Sequence, residues 1–268
     1  MGRLGELYQP SGLALETARA VLEVDNPHAV NVALGCPNGC LYCYGPLASR
    51  QGRERYLNPR YPIYEPIKLV GDQLARGLDV EGVFISFLTD PYLLTHRDET
   101  ERLVNYLLNQ QEWVDRDITV ATLSKIGVSD YSWNRNGMTI VSPYKSFSDK
   151  YEPKVASPEE RIRVLEGCYN DGSYCWVSYE PCPVQDIHPY DTRDVFDLWE
   201  RLRFVDFMIF GKWNYDKRAK TPQAREEYEE LVMMFEDFCK DYGIRYHVKS
   251  DTLKFIRPLE EKARNNEL

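Results

Sequence analysis

Long apolar runs are missing from this chain. Across 268 residues no uninterrupted hydrophobic stretch approaches the ~18–20 residues that a helix needs to cross a bilayer. No membrane association is therefore expected. The opening segment, MGRLGELYQPSG, has no apolar core of the kind that marks a secretory signal, and a cytoplasmic location is the expectation. Internal repeats, low-complexity tracts and a Gly/Ser linker are missing too, which points to one domain over residues 1–268. An excess of positive charge is also missing: 33 Lys and Arg stand against 42 Asp and Glu, a formal charge of −9. That balance argues against broad, charge-driven binding to nucleic acid but leaves room for a local basic cleft.

What the chain does have is seven cysteines and 19 tyrosines. An odd cysteine number without an export signal points to thiols or metal rather than to a disulfide framework. The cysteines are unevenly placed. Cys36, Cys40 and Cys43 form a tight group, Cys168, Cys175 and Cys182 are evenly spaced, and Cys239 stands alone.

Short β-branched or aromatic runs alternate with helical patterns along the chain. The runs are Ala29–Leu34, Gly82–Leu88, Ile118–Leu123, Met138–Ser142, Tyr174–Tyr179, Phe207–Phe210 and Tyr246–Val248. Helical patterns cover Pro66–Gly77, Thr100–Gln110, Pro158–Asn170, Thr192–Arg203 and Pro222–Tyr242. Strand–helix alternation implies parallel β/α units, and six or seven of them make an α/β fold of barrel or partial-barrel type. In such a fold the loops after the strands carry the chemistry. The segments Tyr44–Glu65 and Pro143–Ala156 read as longer loops over that mouth.

The first strand leads straight into Gly35-Cys36-Pro37-Asn38-Gly39-Cys40-Leu41-Tyr42-Cys43-Tyr44. Three thiolates at C-x3-C-x2-C can converge on one soft-metal centre, with Pro37 and Gly39 supplying the tight curvature. Structural zinc normally takes four ligands, and no fourth Cys or His lies close in sequence. A [4Fe–4S] cluster held by three cysteines leaves one iron open to a small molecule.

This motif, with an aromatic residue just before its third cysteine, resembles the signature of the radical S-adenosylmethionine (SAM) superfamily. The resemblance implies a partial (β/α)6 TIM-like barrel of the radical SAM type, with the motif on the loop after the first strand. It implies a [4Fe–4S] cluster on Cys36, Cys40 and Cys43, and SAM bound at the open iron with Tyr42 near its adenine. One-electron reduction of the cluster by a donor of flavodoxin or ferredoxin type then cleaves SAM. The resulting 5′-deoxyadenosyl radical takes a hydrogen atom from substrate.

Two further segments, SFLTDPY (Ser86–Tyr92) and TLSK (Thr122–Lys125), are similar to the branch of the superfamily that contains spore photoproduct lyase. In that branch polar strand ends hold SAM. The resemblance carries this role to Ser86, Thr89 and Asp90 on the second strand end, Ser124 and Lys125 on the third, and Ser142 on the fourth. Lys125 is the expected partner of the methionyl carboxylate, because an ammonium beside that charge makes a strong contact.

Strand alternation places Trp176, Ser178, Glu180 and Cys182 on one face. If that face is the lumen, Cys182 sits at the mouth, where a thiol returns a hydrogen atom to a product radical. Lys212, Asn214 and Lys249 end later strands and are further contacts for SAM or substrate, and His188, in a loop six residues after Cys182, is the first histidine to test by mutation. The leading expectation is a radical SAM enzyme acting on a small molecule or peptide. Nucleic-acid lesion repair or modification is the alternative within that chemistry, kept open by Arg50-Gln51-Gly52-Arg53-Glu54-Arg55. A non-catalytic iron–sulfur or zinc protein is the alternative outside it.

Overall fold

Seven short segments pair edge to edge, all parallel and in chain order, into one open sheet. The computed structural model describes residues 4–110, 117–131 and 133–257. The strands are β1 (His28–Val30), β2 (Gly82–Ile85), β3 (Thr119–Ser124), β4 (Arg135–Thr139), β5 (Cys175–Cys182), β6 (Phe207–Lys212) and β7 (Arg245–Val248). The helices are α1 (Gly12–Leu22), α2 (Gly45–Ala48), α3 (Arg53–Tyr56), α4 (Pro66–Ala75), α5 (Arg97–Leu108), α6 (Lys145–Tyr151), α7 (Pro158–Asn170), α8 (Thr192–Arg201), α9 (Pro222–Asp241) and α10 (Ser250–Ile256). Parallel pairing in sequence order, with helices between strands, is the partial barrel expected from the alternation; the sheet does not close.

Strands β1, β2 and β6 are buried along their whole length, β7 at the sheet edge only at Val248, and alternate residues sort by face. Val83, Ile85 and Val120 pack under Val70 and Leu74 of α4 and Leu103, Val104 and Leu107 of α5. Cys175, Val177, Tyr179, Met208 and Phe210 pack under α7, α8 and α9, where Cys239 fills the apolar stripe of α9. The other set, Ala29, Phe84, Ala121, Trp176, Phe207 and Ile209, faces inward onto Ala18, Val21 and Leu22 of α1. Trp176 lies across this inner face because β4 offers it a glycine: a Cβ at Gly137 would come within 2.1 Å of the indole.

Helix α1 was not foreseen. Its apolar residues at 14, 18, 21 and 22 follow a helical period, and Ser11 stands at the N-cap. It plugs the lower lumen and is tied to the β7 end, where Glu16 accepts hydrogen bonds from the Ser250 N–H (2.6 Å) and hydroxyl (2.7 Å) and pairs with His247. The two stretches read as loops carry helical turns instead, α2 and α3 in the first and α6 in the second.

Candidate functional site

The strand ends open into a cavity of about 260 Å³. All three cysteines of the triplet line it. The loop that bears them is shaped by Gly35 (φ +114°) and Gly39 (φ +70°), conformations that a side chain disfavours. A Cβ at Gly35 would also meet the Tyr56 carbonyl at 2.6 Å. Backbone bonds pin the loop from three sides: Gly35 N–H donates to Leu88 O (3.0 Å), Cys36 N–H to Tyr56 O (2.8 Å), and Leu41 N–H to Tyr151 O (2.9 Å).

Burial pushes the Cys36 thiol up to about 11 and the Cys40 thiol up to about 12; Lys125 pulls Cys40 back down, and Glu152 pushes it further up. Buried thiols of this kind stay protonated at neutral pH and are poor free nucleophiles unless a cation takes the proton's place.

Of the strand-end residues singled out from sequence, Ser86, Thr89, Asp90, Ser124 and Lys125 line the same cavity, as does Tyr42. They are not equivalent. Asp90 is a clamp: its carboxylate accepts from the Ser124 hydroxyl (2.7 Å), Tyr92 N–H (3.1 Å), Lys125 N–H (2.9 Å) and the Asn38 amide (3.4 Å). It thereby joins the cysteine loop to the end of β3. Ser124 accepts from the N–H groups of Ile126 (2.9 Å) and Gly127 (3.2 Å), which builds the turn after its strand. Ser86 has a left-handed backbone (φ +67°), and its hydroxyl accepts from Val32 N–H (3.3 Å).

Two groups retain capacity for a ligand. The Thr89 hydroxyl is buried without a hydrogen-bond partner among the described residues. The Lys125 ammonium donates to the Thr139 hydroxyl (3.2 Å) and stands 5.6 Å over the Tyr42 ring, with further N–H capacity toward the cavity.

Asp90→Ala leaves four nearby donors without their acceptor. The expected cost is about 2–4 kcal/mol of stability, read from urea unfolding; an unchanged midpoint would contradict the clamp.

Tyr42 is held by residues that the sequence reading missed. Its hydroxyl donates to Glu152, which forms an ion pair with Arg161. Arg161 also donates to the carbonyls of Thr139 (2.5 Å) and Ala156 (2.9 Å). Glu152 and Arg161 are 2% and 1% exposed, so this charge pair lies inside the core directly behind the cysteine loop. Glu152 fell in a stretch read as a loop and Arg161 in the helical pattern Pro158–Asn170; neither carries a local signal.

Ser142 and Cys182 do not line the cavity. Strand β4 runs three residues earlier than expected and ends at Thr139, which takes the inward position. Ser142 is buried beyond it, accepting a turn bond from Tyr144 N–H (3.2 Å). For Cys182 the fault lies in the alternation. Tyr179 pairs with Phe210 and Cys182 with Lys212, so β5 advances three residues while β6 advances two. The extra residue flips the pattern. Glu180 and Pro181 face the cavity, while Cys182 turns into the helix-packed core at 1% exposure. Cys175 and Cys182 consequently share a face, against the expectation that they diverge.

Cys182→Ala is expected to keep iron binding intact and to cost about 1 kcal/mol of stability, as for deletion of one buried heavy atom. Loss of turnover with an intact cluster would restore Cys182 to the site. His188 also lies outside the cavity, packed on Tyr144 and Phe147.

The opposite wall carries Ser178, Glu180, Lys212, Asn214 and Lys249, with Thr17 of α1. Lys249 donates to the Leu13 carbonyl (2.9 Å) and to Thr17, and lies 3.8 Å from Glu180. Glycine again makes room: a Cβ at Gly211 would come within 2.7 Å of the Glu180 carboxyl. Burial raises the Glu180 pKa, and Lys249 opposes that rise.

No family model matches this sequence, and no curated protein matches it. Solved structures do. Spore photoproduct lyase complexed with dinucleoside spore photoproduct superposes with a TM-score of 0.57 at 14% identity, covering 82% of this chain and 75% of that one. A cysteine-to-serine mutant of the lyase gives 0.60 over the same shares at 14% identity. A double mutant with bound AdoMet and dinucleoside spore photoproduct gives 0.56, again at 14% identity and with the same coverage. The chain has the fold of this lyase.

Proposed function

We propose that the chain is a radical SAM enzyme. The observation that carries this reading is the meeting, in one cavity at the strand ends of a lyase-like fold, of three cysteines, an unpartnered Thr89 hydroxyl and the Lys125 ammonium. Cys36, Cys40 and Cys43 would hold a [4Fe–4S] cluster, and SAM would fill the space between them, Tyr42, Thr89 and Lys125. When bound and reduced by one electron, this pair supplies a 5′-deoxyadenosyl radical that takes hydrogen from substrate. Lys125 faces the methionyl carboxylate as a charge-assisted donor. Tyr42, fixed through Glu152, forms a wall for the adenine. Asp90 and Ser124 keep the β3 end and the cysteine loop in register. Tyr44, Phe87, Trp213 and Tyr215 give the remaining cavity apolar, water-excluding walls.

Zinc is less well supported. Structural zinc normally takes four ligands, and among the described residues the cavity lining adds no fourth cysteine or histidine to the triplet. Among those residues no helix is long and apolar enough to cross a membrane; a cytoplasmic site of action and an electron donor of flavodoxin or ferredoxin type complete the reading.

For the substrate, the wall of Ser178, Glu180, Lys212, Asn214 and Lys249 suits a polar molecule of either class. The similar solved structures hold a dinucleoside photoproduct. That counts against the preference for a small molecule or peptide and gives lesion repair or modification more weight than the −9 charge allowed. The direct test is spectroscopic. Protein reconstituted anaerobically with iron and sulfide should change its reduced-cluster electron paramagnetic resonance signal when SAM is added. A signal indifferent to SAM would overturn chelation at the open iron.

A further inference from the structure

Basic segments outside the cavity lining include residues 217–225 and residues 47–60, and the latter is bonded to the cysteine loop. Residues 47–60 contain Arg50, Arg53, Arg55 and Arg60 against a single acid, Glu54. None of these arginines lines the cavity, whose cations are Lys125, Lys212 and Lys249. All four are exposed. They sit instead behind the cysteine loop. The Arg53 guanidinium donates to the carbonyls of Gly39 (2.8 Å), Cys40 (2.7 Å) and Leu41 (3.4 Å), pressing this segment against the stretch around the second cysteine.

Two apolar side chains belong to the same surface. Leu41, between Cys40 and Cys43, is 53% exposed, and Leu47 is 65% exposed. Cys40, next to Leu41, is by contrast only 8% exposed. Where the loop's sulfurs turn to the cavity, its outer side thus offers leucines beside arginines.

We infer that this outer face, Leu41 and Leu47 with Arg50, Arg53 and Arg55, is the docking surface for an acidic one-electron donor protein, an inference that rests on the radical SAM reading. Charge and position together select the partner: an acidic surface is steered to the basic segment that is bonded to the cysteine loop, on a chain that otherwise repels it. A small patch of two leucines with charged neighbours matches the modest, transient interfaces of redox encounters, which bury less than about 1,200 Å². A nucleic-acid strand would also seek arginines and stack its bases on aromatic rings, but the exposed Tyr61 and Tyr64 lie beyond Arg50, Arg53 and Arg55 in the chain and Tyr44 lines the cavity, while Leu41 and Leu47 are the exposed apolar side chains beside those arginines. In the encounter one electron leaves the donor, which is oxidised, and the group held by Cys36, Cys40 and Cys43 is reduced by one; no bond forms or breaks.

The test uses the reconstituted full chain, an acidic flavodoxin reduced to its hydroquinone, and the double variant Arg50→Glu/Arg55→Glu, with Leu47→Asp as an independent second variant. The wild type should bind the flavodoxin, with affinity falling steeply as salt rises past the screening range. Both variants should bind at least about tenfold more weakly, the equivalent of about 1.4 kcal/mol. Cluster reduction by flavodoxin, followed by electron paramagnetic resonance, should slow in step, while reduction by dithionite and the SAM cleavage it supports stay unchanged.

Flavodoxin binding and reduction indifferent to both variants, with dithionite-driven SAM cleavage intact, would overturn the docking surface alone. So would an oligonucleotide that binds the wild type and is lost in the double variant while flavodoxin is unaffected. Absence of SAM cleavage with dithionite would overturn the radical SAM reading and this inference with it.

Discussion

Cys36→Ala, Cys40→Ala and Cys43→Ala should each abolish iron–sulfur incorporation and SAM cleavage while leaving the fold in place. The three residues approach the cavity from a single loop, which is pinned by backbone bonds to Leu88, Tyr56 and Tyr151 rather than by its sulfurs. Removing one thiol therefore spares the scaffold and removes a ligand. Loss of an outer-shell partner costs roughly 10–100-fold in metal affinity, and loss of a direct ligand should exceed that. The measurement is iron and sulfide content after anaerobic reconstitution, beside circular dichroism of the same samples. A variant that keeps a full cluster would remove its cysteine from the ligand set.

Glu152→Ala should give the largest loss of stability. It strands the Arg161 guanidinium in the core and removes the acceptor of the Tyr42 hydroxyl. Breaking a buried ion pair on one side costs about 3–5 kcal/mol, or a fall in Tm of roughly 6–20 °C for a chain of this size. Replacing both partners, as in Glu152→Leu/Arg161→Met, should recover much of the loss, because neither charge is then left unpaired. Thermal unfolding of the wild type and the two variants checks this. Equal losses in the single and double variants would show that packing, not charge, holds the site. The single variant should also bind SAM more weakly, since Tyr42 loses its anchor.

The parts of this arrangement that depend on local pattern were open to sequence reasoning. Strand–helix alternation marked all seven strands, and the spacing of Cys36, Cys40 and Cys43 placed the site on the loop after β1. Ser86, Thr89, Asp90, Ser124 and Lys125 followed because strand ends converge in a parallel fold. The two misplaced site residues come from register. A shift of three residues in β4 exchanged Ser142 for Thr139, and one extra residue in β5 turned Cys182 away from the lumen. Such slips leave no trace in local composition, because both sheet faces are apolar here. Glu152 and Arg161 depend on tertiary proximity of residues from two separate segments. Asp90 was found for the wrong reason: its carboxylate is engaged by the protein itself, which no motif reveals. Only α1 was legible and missed, its period plain once the segment is taken as a helix.

The central claim is that these cysteines and strand ends assemble a site for reductive cleavage of SAM. It is tested most directly by supplying SAM and dithionite to the anaerobically reconstituted protein and measuring 5′-deoxyadenosine by chromatography. The account predicts 5′-deoxyadenosine and methionine from the wild type, and neither above background from Cys40→Ala. A wild-type protein with an intact cluster that releases no 5′-deoxyadenosine would contradict it.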